Sequence, residues 1–268
     1  MLPLKKQFLG FIAVLTITAA QAQYTDTVLT AKTTTPVTIT ANKWDVVNEK
    51  SQFGYKNFIV PGILVAYGFA SLETKGLKSI NAEMKEEVWV EHPHKTTNID
   101  DYLKFAPAVA VYGLNIAGIK GRNNFRDRSM IYVLSNLITN STVFGLKALT
   151  NEHRPDGSDY YSFPSGHTAV AFASAEFMRQ EYKDVSPWYG VAGYLMAGAT
   201  GALRMYNNKH WLSDVMAGAG IGMASTKLAY WLYPSIKRKL FKDKPMNTMI
   251  MPYYQSGGGG IAMVYNFR

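Results

Sequence analysis

The chain has 268 residues, of which 47% are hydrophobic and 18% charged, so it is long enough to bury a sizeable core within one domain. It contains no cysteine, which excludes disulfides, a cysteine nucleophile and thiolate metal sites. The formal net charge of +9 predicts attraction to phosphate-bearing substrates or to an anionic membrane face, whereas a mean hydropathy of −0.08 excludes a chain that is mostly membrane. No compact stripe of basic and aromatic residues is present, so nucleic acid is not expected as a partner.

The N-terminal segment 1–22 has the pattern of a secretory signal peptide. Lys5 and Lys6 form a basic start, an apolar run follows over residues 8–20, and an A-x-A cleavage site ends at Ala22. We therefore expect an exported protein, located in the periplasm or at the periplasmic face of a cell-envelope membrane. An N-terminal membrane anchor is the alternative, although the apolar run is short for a membrane span.

The rest of the chain predicts an all-α fold, a helical bundle of about six core helices. A threonine-rich, poorly ordered linker is expected over residues 23–52, a helical domain over 53–240 and a tail over 241–268, where two β-prone runs around four glycines predict a β-hairpin. The stretch 79–101, which is charged, predicts a surface connection. The helices are predicted over 57–72, 105–119, 129–146, 168–181, 185–203 and 212–233, the last of them ending at Pro234.

The apolar runs leave membrane spanning open at this point. Two of them, 129–146 and 185–203, approach the roughly 20 residues that a span needs, but the first contains several Ser, Asn and Thr residues. We expect a compact bundle that lies on, or partly in, a membrane. The basic run 237–239 after the last helix has two equally good interpretations. It can contact anionic lipid headgroups, or it can be a solvated helix end.

Three short motifs concentrate the chemically active residues of the chain. Together they supply three cations, two histidines, a hydroxyl and a carboxylate. Arginine forks match phosphate oxygens, lysine adds a point charge, and the free N–H groups of a helix start favour an anion. The motifs therefore predict a phosphate site; they are Lys147-x6-Arg154-Pro155, Pro164-Ser165-Gly166-His167 and Arg204-x5-His210-x3-Asp214.

The two histidines have different expected roles. His210 and Asp214 are four residues apart, so on a helix they share one face, where the carboxylate can fix the imidazole tautomer and leave the other nitrogen as nucleophile or base. His167 lies at a helix start and can protonate a leaving oxygen. Each motif alone has a simpler explanation as a helix cap or a surface pair, and their combination is what indicates a catalytic site.

The order and spacing of these motifs resemble the signature of the type 2 phosphatidic acid phosphatase superfamily, which includes lipid phosphatases, bacterial class A acid phosphatases and vanadium haloperoxidases. The resemblance covers about residues 100–235 and departs at Leu203, where the family usually has serine. It implies a helical core and phosphoryl transfer without metal or cofactor. By position, His210 would form a phosphohistidine, Asp214 would orient it and His167 would donate the proton. The implied phosphate-binding residues are Lys147, Arg154, Ser165, Gly166 and Arg204.

These observations predict an exported, metal-independent phosphatase that hydrolyses phosphate monoesters or diphosphates. The apolar helices and the basic run favour a lipid substrate of the lipid A, isoprenyl diphosphate or phosphatidyl type, and therefore a membrane association. A soluble periplasmic acid phosphatase of broad specificity is the first alternative, and the low hydropathy supports it. A vanadium-dependent haloperoxidase and a non-enzymatic envelope component are further alternatives.

Overall fold

The computed structural model of the chain describes residues 54–241, 248–255 and 258–265, so the predicted signal peptide and threonine-rich linker lie outside the described residues. Within the described residues the chain forms eight α-helices and one two-stranded antiparallel sheet, which confirms the all-α class of the domain. The elements are α1 (Ile59–Glu73), α2 (Lys75–Lys85), α3 (Ile99–Leu103), α4 (Ala106–Ile116), α5 (Phe125–Thr150), α6 (Gly166–Tyr182), α7 (Pro187–Tyr206), α8 (Leu212–Phe241), β1 (Thr248–Gln255) and β2 (Gly258–Tyr265).

Three element boundaries differ from the prediction. The stretch 79–101, expected as a surface connection, contains the second half of α2, a π-helical turn over Glu86–Val90 that extends it, and the start of α3. Helix α5 is longer at both ends because the Asn124 side chain caps its start and Asn151 ends it in the left-handed region, at φ 50°. Helix α8 continues through Pro234, since this proline is exposed and water can replace the one backbone hydrogen bond that it removes. The predicted hairpin is present, with Thr248 opposite Tyr265.

Helix α6 is the central element of the bundle, and it packs against α4, α5, α7 and α8. Most of its residues are buried, and many are alanine or serine, which allows neighbouring backbones to approach closely. Helix α8 approaches α6 closely near the start of α6. A Cβ added at Gly218 would lie 2.5 Å from the carbonyl oxygen of Ser165, so only glycine fits there. This contact places the first turns of α6 and α8 side by side.

A buried ion network stabilises the bundle away from these first turns. Glu176 is fully buried and accepts hydrogen bonds from Arg179 at 2.9 Å, from Lys227 at 2.8 Å and from the Tyr194 hydroxyl. The network thereby joins α6, α7 and α8. Because a carboxylate buried without partners would cost several kcal/mol, these cations and the hydroxyl are what allow it to lie in the core.

Helix α2 contributes a cap to the start of α8. The buried Asn81 side chain accepts a hydrogen bond from the backbone N–H of Ser213 at 3.1 Å and donates one to its hydroxyl at 2.9 Å. The first N–H groups of a helix have no partner within the helix, so a side chain from another element takes that place here. Helices α1 and α2 therefore fix the position of the α8 start.

Among the described residues no single helix is long and apolar enough to cross a membrane, whereas the segments Tyr55–Glu73 and Lys75–Val90, bent by 96°, pass that test only as a pair. Large apolar side chains are nevertheless exposed on several helices. Four of those on α5 follow one another at intervals of three, four and seven residues and therefore form one stripe. The stripe consists of Met130, Val133, Leu137 and Phe144.

Candidate active site

The three motifs meet where four helices begin or end. Lys147 lies in the last turn of α5, Ser165 is the N-cap of α6, Arg204 lies in the last turn of α7 and Asp214 lies in the first turn of α8. The backbone N–H of Ser165 donates to the carbonyl oxygen of Asp214 at 3.0 Å, which joins the second motif to the third. Residues from three separate stretches of the sequence thus form one cluster.

The His210–Asp214 pair forms, but its predicted local structure is wrong. His210 precedes α8, which begins at Leu212, so the two residues do not share a helix face. The turn between α7 and α8 directs the imidazole back, and its Nδ1 lies 3.4 Å from Oδ2 of Asp214. The expected role of the carboxylate in fixing the tautomer is therefore available through a different geometry.

Asp214 is held by two donors besides the imidazole. Its Oδ2 accepts hydrogen bonds from the Ser162 hydroxyl at 2.5 Å and from the backbone N–H of Trp211 at 2.9 Å. The second bond is half of a capping box, in which the third residue of a helix binds the N–H of its N-cap. Burial raises the pKa of Asp214 to about 6, and the Ser162 and Trp211 hydrogen bonds oppose that rise.

His210 is buried, with only 3% of its surface exposed. Burial lowers the pKa of His210 well below its usual value, and the positive charges of Arg204, Lys147 and Arg154 lower it further. The imidazole is consequently neutral around pH 7. A neutral imidazole with one nitrogen directed at a carboxylate can use its other nitrogen as a nucleophile.

The second motif forms the start of α6, where the Ser165 hydroxyl caps the helix. Ser165 is fully buried, and its hydroxyl accepts from the Thr168 N–H at 3.4 Å and hydrogen-bonds the Thr168 hydroxyl at 2.9 Å, so it caps α6. Gly166 is the first residue of that helix, where unpaired N–H groups favour an anion. Phosphate binding by Ser165 would therefore involve its backbone or a rearranged hydroxyl.

His167 lies at the rim of the cluster, with 28% of its side chain exposed. Its Nε2 lies 2.6 Å from Oδ1 of Asp101 and 3.0 Å from Nζ of Lys104. Burial lowers the pKa of His167 below its usual value, while the Asp101 hydrogen bond acts in the opposite direction. Neither Asp101 nor Lys104 was identified in the sequence, because both lie in a stretch without a motif.

Both arginines of the motifs are paired with carboxylates. Arg204 Nη1 donates to Oδ2 of Asp100 at 2.6 Å, and Arg154 Nε donates to Oδ1 of Asp159 at 2.8 Å. The Nε atom of Arg204 is buried without a hydrogen-bond partner. A polar atom left unpaired in such a position costs about 1–3 kcal/mol, so an anion that accepted from it would be stabilised.

Lys147 forms no ion pair among the described residues. Its ammonium donates to the backbone carbonyl oxygens of Tyr161 and of Ser162, the latter at 3.3 Å. Burial lowers the pKa of Lys147 to about 8, and the nearby charge of Arg154 contributes to this shift. The amine is thus charged at neutral pH and loses its charge in mildly alkaline solution.

The cluster is more suited to an anion than to a metal ion. Ligand atoms of Asp100, Asp101 and His167 lie within 4.8 Å of one another, which is the spacing of a possible cation site. However, Arg204 and Lys104 already bond to these groups. A divalent cation placed there would face two fixed positive charges at short range.

An open groove extends from the two cations of the first motif. Its volume is about 510 Å³, and it is lined by Phe144, Lys147, Ala148, Arg154, Asp159 and Tyr161. Lys147 and Arg154 make part of this lining cationic, and Phe144 and Tyr161 add aromatic surface. Next to the groove, the His153 ring lies against the Tyr160 ring at a centroid distance of 3.7 Å. Since Phe144 also belongs to the exposed stripe of α5, the groove and the stripe are continuous.

Comparison with known proteins connects this cluster to a family. Residues 128–238 match the family model of the PAP2 superfamily, which confirms the resemblance indicated by the three motifs. Over 143 residues the chain is 39% identical to the lipid A 1-phosphatase of Porphyromonas gingivalis (strain ATCC 33277), an alignment that covers 53% of this chain and 32% of that protein. The chain thus spans about a third of the length of this relative.

Two solved structures also resemble the chain in part. The crystal structure of LpxE from Aquifex aeolicus matches with a TM-score of 0.43 and 20% identity, covering 56% of this chain and 94% of that one. A transmembrane PAP2-type phosphatidylglycerolphosphate phosphatase from Bacillus subtilis matches with a TM-score of 0.47 and 18% identity, covering 71% and 100% of the two chains.

Proposed function

We propose, from the PAP2 superfamily match over residues 128–238 and the charges around it, that this chain is a phosphatase that hydrolyses lipid phosphates through a histidine nucleophile. The single observation that supports this most strongly is the buried neutral His210. It lies beside Asp214 and under the positive charge of three motif cations. Such a group is poorly placed for binding a proton and well placed for attacking an electron-poor phosphorus atom.

In the first step, the free nitrogen of His210 attacks phosphorus as the bond from phosphorus to the leaving oxygen breaks. His167, in its protonated form, gives a proton to that oxygen, so the leaving group departs as an alcohol, or as a phosphate if the substrate is a diphosphate. The product on the protein is a phosphohistidine. Asp214 accepts a hydrogen bond from Nδ1–H throughout, without taking the proton, and stabilises the positive charge that develops on the imidazole.

In the second step, water gives a proton to the now neutral His167, and its oxygen attacks the phosphohistidine. The bond between nitrogen and phosphorus breaks, inorganic phosphate leaves and His210 returns to its neutral form. His167 regains the proton that it donated, so the cycle closes without a further reagent. Proton transfers of this kind contribute about 10²–10⁴-fold to enzymatic rates.

Charge stabilisation by the motif cations completes the mechanism. Phosphoryl transfer depends mainly on positioning and on neutralising charge on the three non-bridging oxygens. Lys147, Arg154 and Arg204, together with the N–H groups at the start of α6, supply that charge without a metal ion. We therefore expect phosphate release to continue in EDTA, and strong inhibition by the chelator would contradict this part of the proposal.

A lipid is the proposed carrier of the phosphate. The groove that contains Lys147 and Arg154 is also lined by Phe144 and Tyr161. The exposed apolar stripe on α5 includes Phe144 and extends over several further turns of that helix. This arrangement fits an amphiphile with its phosphate at the cations and its hydrocarbon part along α5. The relative from Porphyromonas gingivalis is named a lipid A 1-phosphatase, which makes a phosphorylated glycolipid the first substrate to test. Export, and action at the periplasmic face of a membrane, follow from the predicted signal peptide.

The proposal is tested by measuring phosphate release from a panel that includes lipid A, isoprenyl diphosphate, phosphatidic acid and p-nitrophenyl phosphate. His210→Ala should lower kcat at least about 10³-fold, because it removes the group that forms the covalent intermediate. His92→Ala, which changes an exposed histidine, is the matched control. Full activity of His210→Ala would refute the nucleophile.

The substrate panel also separates the alternatives. Preference for p-nitrophenyl phosphate over every lipid would favour a soluble acid phosphatase. Halide oxidation by peroxide with added vanadate, in the absence of phosphate release, would identify a haloperoxidase. A ³²P-labelled substrate quenched in alkali should leave an acid-labile label on the wild-type protein and none on His210→Ala.

A further inference from the structure

Helix α3 places two consecutive carboxylates on two different motifs. Asp100 accepts from Arg204 of the third motif at 2.6 Å, and Asp101 contacts His167 of the second motif at 2.6 Å. The two aspartates are not equivalent, because Asp100 is buried and Asp101 is half exposed. Asp100 therefore belongs to the packed interior of the site, whereas Asp101 meets His167 at its solvent side.

The position of α3 is fixed by a pair of hydrogen bonds between one side chain and the backbone that precedes the helix. The Asn207 side chain, at the end of α7, accepts from the N–H of Thr97 at 2.9 Å and donates to its carbonyl oxygen at 2.8 Å. The same amide group donates to Asp100 at 3.2 Å. Asn207 is buried, so α3 is attached to the rest of the site immediately before its first turn. The Asp101 carboxylate thus reaches His167 from a fixed support.

Five charged or titratable groups surround the His167 imidazole. Asp101 and Lys104 contact its Nε2, a carboxylate oxygen of Asp100 lies within 4.8 Å of the ring, and Arg204 and His210 interact with it electrostatically. Lys104 has only hydrogens to offer, so it cannot accept a hydrogen bond from Nε2–H, whereas the Asp101 carboxylate can, and the Lys104 ammonium also lies 3.6 Å from that carboxylate. The distance of 2.6 Å is that of a charge-assisted hydrogen bond.

We propose that Asp101 is a positioning residue for His167: it accepts a hydrogen bond from Nε2–H, fixes the ring and favours the imidazolium form that gives a proton to the leaving group. This inference rests on the proposed phosphatase function. The site then contains two Asp–His pairs with opposite tasks. The buried Asp214 pair keeps a neutral histidine ready to attack, and the exposed Asp101 pair keeps a second histidine ready to donate.

The proton that His167 donates comes from Nδ1, which has no hydrogen-bond partner among the described residues, while Asp101 retains its bond at Nε2. After donation the imidazole is neutral with its proton on Nε2, and Nδ1 accepts the proton of the attacking water in the second step. Asp101 remains ionised in both steps, because its pKa is lowered first of all by the His167 hydrogen bond. The carboxylate therefore acts by orientation and charge and takes no proton itself.

Asp101→Asn tests the inference, with Asp184→Asn, an exposed aspartate after α6, as the matched control. We expect kcat to fall about tenfold, a part of the 10²–10⁴ that general acid catalysis contributes, with KM changed less than twofold. The basic limb of the pH profile of kcat should move to lower pH, because the hydrogen bond that raises the pKa of His167 is lost. Asp101→Glu should restore both values in part.

Four results would overturn the inference. A fall in kcat with an unmoved basic limb would indicate a purely structural role, as would a failure of Asp101→Glu to restore activity. A higher kcat or a lower KM in Asp101→Asn would show that the carboxylate competes with the substrate phosphate. An unchanged enzyme would show that Asp101 has no role.

A titration by nuclear magnetic resonance separates this inference from the proposed function. The chain has five histidines, so the His167 ring signal can be assigned by comparison with His167→Gln. We expect its midpoint to shift to lower pH in Asp101→Asn and to stay unchanged in Asp184→Asn. If the wild-type protein released no phosphate from any substrate, the proposed function would fail. The titration would still decide whether Asp101 controls the protonation of His167.

Discussion

Ser162 donates a hydrogen bond of 2.5 Å to the same carboxylate oxygen of Asp214 that faces His210. Both residues are buried, and neither has access to water as a replacement partner. The serine lies just before the second motif and the aspartate ends the third, so this bond connects the two parts of the catalytic cluster. The ionised form of Asp214, and with it the orientation of His210, depends on a hydroxyl outside the three motifs.

Ser162→Ala should therefore move the acidic limb of the pH profile. Without this donor, one of the hydrogen bonds that oppose the effect of burial is lost. The pKa of Asp214 should therefore rise above its value of about 6. More of the carboxylate is then protonated at pH 6, and protonated Asp214 orients His210 poorly. We expect activity to fall about tenfold at pH 6 and less at pH 8, in line with the 1–3 kcal/mol cost of a lost buried donor.

The measurement is kcat/KM between pH 4.5 and 9, with Ser79→Ala, an exposed serine of α2, as the control. An equal loss at every pH would contradict the prediction, because it would mean that Ser162 acts through packing alone.

The wild-type protein should lose affinity for phosphate in mildly alkaline solution, and Lys147→Arg should remove this loss. The pKa of Lys147 is lowered to about 8, so the amine loses its charge as the pH rises through that value. Arginine remains charged over the whole range. Inhibition constants for inorganic phosphate between pH 7 and 10 should rise above pH 8 for the wild type and remain flat for the variant. A parallel rise in both proteins would assign the effect to another group.

Some features of the site follow from local sequence and others do not. The three motifs predict their convergence only in combination, because each alone is explained by a helix cap or a surface pair, and the structure brings Lys147, His167 and His210 to one cluster. The helix boundary at Leu212 is not predictable from the i, i+4 spacing of His210 and Asp214, since a turn that folds back produces the same proximity. A spacing of four residues therefore does not by itself distinguish a helix from a turn.

The contacts of Asp100, Asp101 and Asn81 are invisible in the sequence for a different reason. Each joins a residue of α2 or α3 to one more than 60 positions away, and no local pattern specifies such a pairing. A consecutive pair of aspartates in a charged stretch resembles a solvated surface. Only the packing of α3 against the end of α7 converts these two residues into parts of the site.

Gly218→Ala should destabilise the protein and weaken substrate binding together. The added methyl group would lie 2.5 Å from the Ser165 carbonyl oxygen and 3.3 Å from the Ala169 nitrogen, so α6 and α8 would have to separate. Overpacking of this kind costs about 1–3 kcal/mol. Because the separation occurs at the first turns of both helices, we also expect a higher inhibition constant for phosphate.

Gly145→Ala is the matched control, since it lies in the interior of α5 with nothing within 4 Å of an added Cβ. Alanine has the higher helix propensity by about 1 kcal/mol, so this variant should raise the melting temperature slightly. Equal melting temperatures for the two variants would contradict the close approach at Gly218.

Asn81→Ala should lower the free energy of unfolding by about 1–2 kcal/mol, because it removes the cap from the start of α8. The same change leaves the buried Ser213 hydroxyl without its donor. Asn98→Ala, at the start of α3, is the control, since the Asn98 side chain forms no capping hydrogen bond. Thermal unfolding followed by circular dichroism measures both. A loss in Asn98→Ala as large as in Asn81→Ala would assign the effect to asparagine content and not to the cap.

The cap that α2 provides to α8 affects which fragment of the chain can retain the complete site. A fragment that begins at Arg128 would retain every residue of the three motifs, yet it would lack the amide that holds the first turn of α8 and both carboxylates that contact Arg204 and His167. Arg204 would lose its partner carboxylate Asp100, whereas Arg154 would keep Asp159. The smallest fragment that retains the complete site therefore begins no later than α2, well before the first of the three motifs.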